Sequence, residues 1–144
     1  MNSTRIIKNA RIFLVILLFF VIIDGFVINV LTKDIYKNEL KDIAKMNDSS
    51  LSPTWWALSL VYILISFALT YYVFLSDESS NELNIFLKGS LLGFIIFGIY
   101  NLANYSLVKE WSSTLLLTDI IWGTVLCGLV AFLTFYVNKL FKYG

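Results

Sequence analysis

The sequence predicts an all-α fold class, a polytopic integral membrane protein. The expected form is a four transmembrane helix bundle with a short amphipathic helix after the first span. Three observations carry this. Of 144 residues, 58% are hydrophobic, and mean hydropathy is +0.78; soluble domains are roughly half apolar. The apolar residues gather in four runs close to the ~20-residue length that crosses a bilayer. Charged residues and tryptophans punctuate the runs instead of interrupting them.

The first run covers about residues 12–31 and follows Arg5, Lys8 and Arg11. No small-residue cleavage pattern comes after it, so it reads as an uncleaved span and not a signal peptide. A charged stretch follows, in which Tyr36, Leu40, Ile43 and Ala44 share one helical face. Asp34 with Lys37, and Asp42 with Lys45, are opposite charges three residues apart, worth a few tenths of a kcal/mol each. This predicts an amphipathic helix over about residues 33–46, extending the first span or lying on the bilayer surface.

The second span is expected over about residues 55–75. Ser52 offers a capping hydroxyl, Pro53 stands where a first helical residue needs no N–H, and Trp55 and Trp56 follow at the membrane surface. A polar turn from Ser76 leads to the third span, about residues 91–108, with Lys88 placed to snorkel. Trp111 precedes the fourth span, about residues 115–135 with a continuation towards Phe141. No repeat or second domain is visible, so residues 1–144 read as one membrane domain.

Four spans put both termini on one side. Arg5, Lys8, Arg11, Lys139 and Lys142 favour that side being cytoplasmic, although Lys33, Lys37, Lys41 and Lys45 in the first loop weaken the asymmetry. Charge is nearly balanced, 11 basic against 10 acidic, so no nucleic-acid footprint is present. With no histidine, Ser-His-Asp catalysis, histidine-based zinc sites and His-ligated haem are excluded. The single Cys127 lies in an apolar run and reads as an inert buried thiol. No cofactor and no metal centre is implied.

Only two acids fall inside spans, Asp24 and Asp119. An Asp at a helix centre costs about 2.5–3.5 kcal/mol on insertion scales. Counting from the span ends at about 1.5 Å per residue, Asp24, Asn101, Asn104 and Asp119 share one depth, about 6–10 Å below the surface on the side opposite the termini. The start of the second span brings Ser59 and Tyr62 to the same layer. Gly93, Phe97, Tyr100, Asn101, Asn104 and Val108 follow one face of the third span; Asp119, Trp122, Gly123 and Leu126 follow one face of the fourth. Polar side chains are costly against lipid, so these faces are expected to meet. Gly89, Gly93 and Gly123 are expected to let backbones approach closely.

The spacing Tyr100-x-x-x-Asn104, Trp111, Asp119-x-x-Trp122-Gly123 resembles the C-terminal half of domain-of-unknown-function family 2177, small four-span membrane proteins. Asp24 and Tyr36 resemble that family's N-terminal acid and the tyrosine after its first span. The resemblance covers nearly the whole chain. Two positions depart from the family pattern. Asn101 stands where Asp is typical, and Val27 where Trp is frequent. The resemblance implies a membrane fold and supplies no reaction.

Two functional readings remain from the residues. In the first, Asp24, Tyr62, Tyr100, Asn101, Asn104, Asp119 and Trp122 line an intramembrane polar site for a small molecule, lipid head group or cation. In the second, the same residues only fix helix packing, and the chain is a structural or partner-binding subunit, alone or as a homo-oligomer. A membrane-embedded enzyme ranks third, since two acids can act as an acid/base pair but no nucleophile stands out. The half of the bundle nearer the termini reads as nearly dry, which argues against a simple channel.

Overall fold

A computed structural model describes residues 3–41, 43–47, 50–75 and 81–143. Four helices in it are long and apolar enough to cross a membrane: Ser3–Leu31, Trp55–Leu75, Glu82–Leu107 and Ser113–Phe141. Their outward faces carry residues such as Leu14, Leu18, Phe67, Phe94, Ile99 and Ile121, all more than half exposed. A continuous apolar exterior of this kind is a lipid-facing surface. The chain is a multi-pass integral membrane protein.

The first rod is α1, Ser3–Phe26, continued by a π-helical segment, Val27–Leu31. The rod stops where Thr32 turns back, its N–H and its hydroxyl both donating to the Val27 carbonyl at 2.9 and 3.1 Å. The amphipathic helix follows as α2, Lys33–Leu40, which is shorter than the expected 33–46. After it, β1 (Met46–Asn47) and β2 (Ser50–Leu51) pair antiparallel as a minimal hairpin. The ladder starts at Met46, the last residue of the expected loop helix, and lies before the expected second span. The expected Asp42–Lys45 pair and the 76–80 turn fall outside the described residues.

Helix α3, Trp55–Leu69, runs on through a second π-helical segment, Thr70–Leu75. Its start differs from the expected Ser52–Pro53 cap. Thr54 is the N-cap residue in extended backbone, and its carbonyl accepts from the N–H groups of Ala57 and Leu58. Its hydroxyl makes no cap bond and instead accepts from the Lys45 ammonium at 2.7 Å. Pro53 thus ends the hairpin region and does not open the helix, consistent with the extended backbone that flanks proline.

Helix α4, Glu82–Leu107, begins nine residues before the expected third span. Asn81 supplies the reason: its side-chain oxygen accepts from the Asn84 N–H at 2.9 Å, and Glu82 meets the positive end of the helix dipole. Helix α5, Ser113–Tyr143, is capped by Ser112, whose hydroxyl oxygen accepts from the Leu115 N–H at 3.0 Å.

Lipid tails are as apolar as leucine, so close packing and interhelical hydrogen bonds, not water expulsion, hold such helices together. The closest seam joins α4 and α5. A Cβ at Gly89 would lie 2.7 Å from the Cys127 carbonyl oxygen, and one at Gly93 would strike the Gly123 backbone. Gly128, which sequence reasoning passed over, meets Ser90 and Phe86 in the same way. Helix α1 turns Ile12, Ile16, Phe20 and Asp24, one per turn, onto a core that includes Ile65, Leu69, Leu126 and Val130. At the end that carries the termini, Arg11 Nη2 donates to Asn138 Oδ1 at 2.7 Å and its guanidinium stacks over the Phe141 ring.

Candidate functional site: a polar layer at the α2 end

Asp24 continues the buried α1 stripe one turn beyond Phe20 and is 8% exposed. Each of its oxygens takes one donor. The Trp122 indole N–H donates to Oδ1 at 2.9 Å, and the Tyr62 hydroxyl donates to Oδ2 at 2.8 Å. The Tyr62 ring is held at 5.9 Å from Phe20, so one apolar contact positions that donor.

Asp119 is served in the same way from the other side. The Tyr36 hydroxyl donates to its Oδ1 at 2.7 Å, and the Asn101 amide donates to its Oδ2. Asn101 is wholly buried. Its Nδ2 also donates to the Phe97 carbonyl at 3.0 Å, and its Oδ1 accepts from the Trp111 indole at 3.3 Å. The Trp111 ring stands edge-on to Tyr100, centroids 5.8 Å apart.

Every helix therefore contributes to one layer: Asp24 from α1, Tyr36 from α2, Tyr62 from α3, Asn101 from α4, Asp119 and Trp122 from α5. The four groups donating to the two carboxylates are two phenols, an indole and an amide, all neutral. Tyr36, outside the spans, has its phenol pushed well above the ordinary value, by burial first and by the Asp119 charge second. Among the described residues, no three Cys, Asp or Glu gather as a metal-ligand set.

Of the seven residues singled out from sequence, five meet in this layer: Asp24, Tyr62, Asn101, Asp119 and Trp122. Two stand apart. Asn104 donates back to the Tyr100 carbonyl on its own helix at 2.9 Å, in an exposed setting. Tyr100 is itself 55% exposed and stands beside the layer with its ring against Trp111. The 3.6-residue period explains this. Positions 97, 101 and 93 face α5, while 100 and 104 lie one flank round. Ser59, counted into the layer by depth, donates to the Trp55 carbonyl instead.

Sequence reasoning missed two members as site residues. Tyr36 was read as part of the apolar face of the loop helix, and Trp111 as a surface anchor. The available sign was that Tyr36 is the one aromatic on that face, carrying a hydroxyl into a region the acids share. Helix α2 is fastened a second time, where the Ser112 hydroxyl donates to the Glu39 carboxylate. That one serine caps α5 and holds α2.

Comparison with the curated proteins and comparison with the solved structures each give no match. Comparison with protein families matches residues 9–136 to the family described as Predicted membrane protein (DUF2177). The matched stretch runs from before Arg11 to Tyr136 and takes in every residue of the polar layer. The chain therefore belongs to the DUF2177 family of membrane proteins, a family of unknown function.

Proposed function

We propose that the polar layer is a binding site, in which Asp24 and Asp119 hold the positively charged or hydrogen-bond-donating part of a small ligand: a cation, an amine or a lipid head group. The single observation behind this reading is the mismatch of charge at the layer. Two acids share it, and the partners that reach them are neutral. A carboxylate oxygen has two lone pairs, and each of the four oxygens receives one protein donor. The remaining capacity is acceptor capacity, which suits a donor-rich cation. Tyr62, Asn101 and Trp122 would orient the acids, while Tyr36 would close the layer from α2.

A second reading has its own support. The same four bonds tie all five helices together, which is what a packing lock requires. Interhelical hydrogen bonds in membranes average about 0.6 kcal/mol and reach about 1.7, so four of them can select one arrangement without any ligand. In that case the chain is a scaffold or subunit, and a protein partner or second copy carries the function. The cytoplasmic placement of the termini belongs to both readings.

Thermal unfolding of the detergent-purified protein separates the two. Wild type is compared with the Asp24→Asn/Asp119→Asn variant from about pH 4 to 9, with monovalent cations, primary amines and phospholipids in turn. A ligand at a hundredfold excess over Kd adds about 2.7 kcal/mol to the folded state. Binding predicts such a rise for one ligand class in wild type and its loss in the variant. Equal stability of both proteins throughout, with no ligand effect, would establish the packing reading.

A further inference from the structure

Two helices lose their cover as they rise towards the polar layer. Residues seven apart share one helix face. On α4 the inward stripe starts at Ile85 and Gly89, both buried, and passes Leu92 and Ile96, both packed on the core. It ends at Ile99 and Ala103, both exposed. On α3 the stripe runs from buried Leu69 and Ser66, through partly buried Tyr62, to exposed Ser59 and Trp55. Helices α1 and α5 stay covered at the same end, where Asp24 and Leu115 are buried. The packing accounts for the contrast. Thr70–Leu75 lies against α4, whereas Trp55–Leu69 lies against α1. The second rod and α4 therefore meet at the end that carries the termini and part towards the α2 end.

The parting lies beside one acid. Tyr62, on the α3 wall, donates to Asp24, and Trp122 donates to the same carboxylate from α5. Each Asp24 oxygen thus holds one neutral protein donor and keeps a lone pair. One turn below Tyr62 on the same face, the Ser66 hydroxyl is wholly buried and has no protein partner among the described residues. Packing alone gives no use for that group. The walls nearer the surface are apolar, with Leu60, Ile63 and Ile99 all exposed. Exposed Trp56 marks the membrane surface, and Tyr62 lies six residues further in, about 9 Å below it.

We propose that the parting of α3 and α4 admits a lipophilic amine sideways from the bilayer, and that its primary ammonium group binds Asp24 while its hydrocarbon body stays among the apolar walls. The inference rests on the binding reading and names the ligand class and its route. An ammonium brings three donors and one positive charge, which match the two open lone pairs and the uncompensated charge of Asp24. Depth decides between kinds of amine. A phospholipid would have to draw its phosphate towards the hydrocarbon beside a carboxylate that repels it, and charge at that depth is costly. A small soluble amine gains nothing from the apolar walls. A hydrocarbon chain carrying only an ammonium meets neither cost.

The test is thermal unfolding of the full chain in a non-ionic detergent at about pH 7, where the amine is charged and the carboxylate has no histidine to compete with it. Dodecylamine is compared at equal concentration with dodecyltrimethylammonium, which keeps chain and charge but has no N–H, and with propylamine, which keeps the ammonium but has no chain. Dodecylamine at a hundredfold excess over Kd is expected to raise Tm by about 5 °C or more, and the other two to leave it unchanged. Asp24→Asn is expected to lose the rise. Ala103→Trp fills the α4 side of the parting from an exposed position and is expected to keep the wild-type Tm and lose the rise. Leu102→Trp, exposed on the outer face, is the control and keeps it. An equal rise with propylamine, or a full rise in Ala103→Trp, would overturn the lateral route and leave the binding reading standing. So would a rise with a metal cation and none with dodecylamine. No rise with any cation, amine or lipid removes both.

Discussion

Tyr36 and Asn101 show what a single side chain settles at the residue scale. Asn101 was legible, because an amide within an apolar run must find partners and its period set it towards α5. Asn104 carried the same chemical mark, yet its own helix offered a carbonyl four residues back, and no count of polar residues separates those outcomes. Tyr36 was illegible as a donor because its acceptor is 83 residues away. Its burial has a measurable consequence. The folded protein keeps the Tyr36 proton beyond the ordinary tyrosine value of 10.0, whereas the unfolded chain releases it there. The stabilisation from this group is therefore complete below pH 10 and declines as pH rises further. Tyr36→Phe is expected to cost about 0.6–1.7 kcal/mol at neutral pH, the range for an interhelical hydrogen bond in a membrane. Above pH 10 the gap to wild type should narrow. Melting curves from about pH 7 to 11 check both statements; a gap that stays constant or widens would show that the phenol is not held protonated by the fold.

At the scale of elements, the existence and order of the helices could be read from composition, while their ends could not. Helix α4 starts at Glu82 because Asn81 caps it, a local bond that hydropathy does not register. The loop helix stops at Leu40, and the chain beyond it includes the β1–β2 ladder, which periodicity alone does not distinguish from a continued amphipathic turn. The α4–α5 seam was better marked. Gly89 and Gly93 sit four apart and both touch α5, whereas Gly98, also buried on α4, has nothing within 4 Å of an added Cβ. Two glycines on one helix thus predict opposite responses. Gly93→Ala must push Gly123 and Cys127 away and is expected to cost about 1–3 kcal/mol, as overpacking does. Gly98→Ala fills open space and removes backbone freedom, so it should be neutral or stabilise by up to about 1 kcal/mol. Unfolding of both variants in the same detergent tests the seam. Comparable losses at the two positions would mean that close backbone approach is not what glycine provides at Gly93.

At the scale of the whole molecule, an even number of spans brings α2, the hairpin and the 108–112 turn to one end and both termini to the other. The four-span architecture was legible because each run exceeds what a soluble core needs, and because a polar residue inside a run must face inward. The absolute orientation rests on a narrower balance. Arg5, Lys8, Arg11, Lys139 and Lys142 mark the terminal end, against the lysines of the first loop, and acids contribute little to the rule. Arg11 is held at that end of the bundle by its bond to Asn138 and its stacking on Phe141, whichever way the bundle is oriented. The expected arrangement has the termini in the cytoplasm and α2 outside. Cys127 is fully buried, so the wild-type chain should give no background with a thiol reagent. Ser3→Cys and Glu110→Cys then report the two ends, both positions being exposed. A membrane-impermeant maleimide applied to intact cells should label Glu110→Cys at once and Ser3→Cys only after permeabilisation. The opposite pattern would invert the bundle, placing the Asp24–Asp119 layer in the cytoplasmic half and reversing the side from which a cation would enter it.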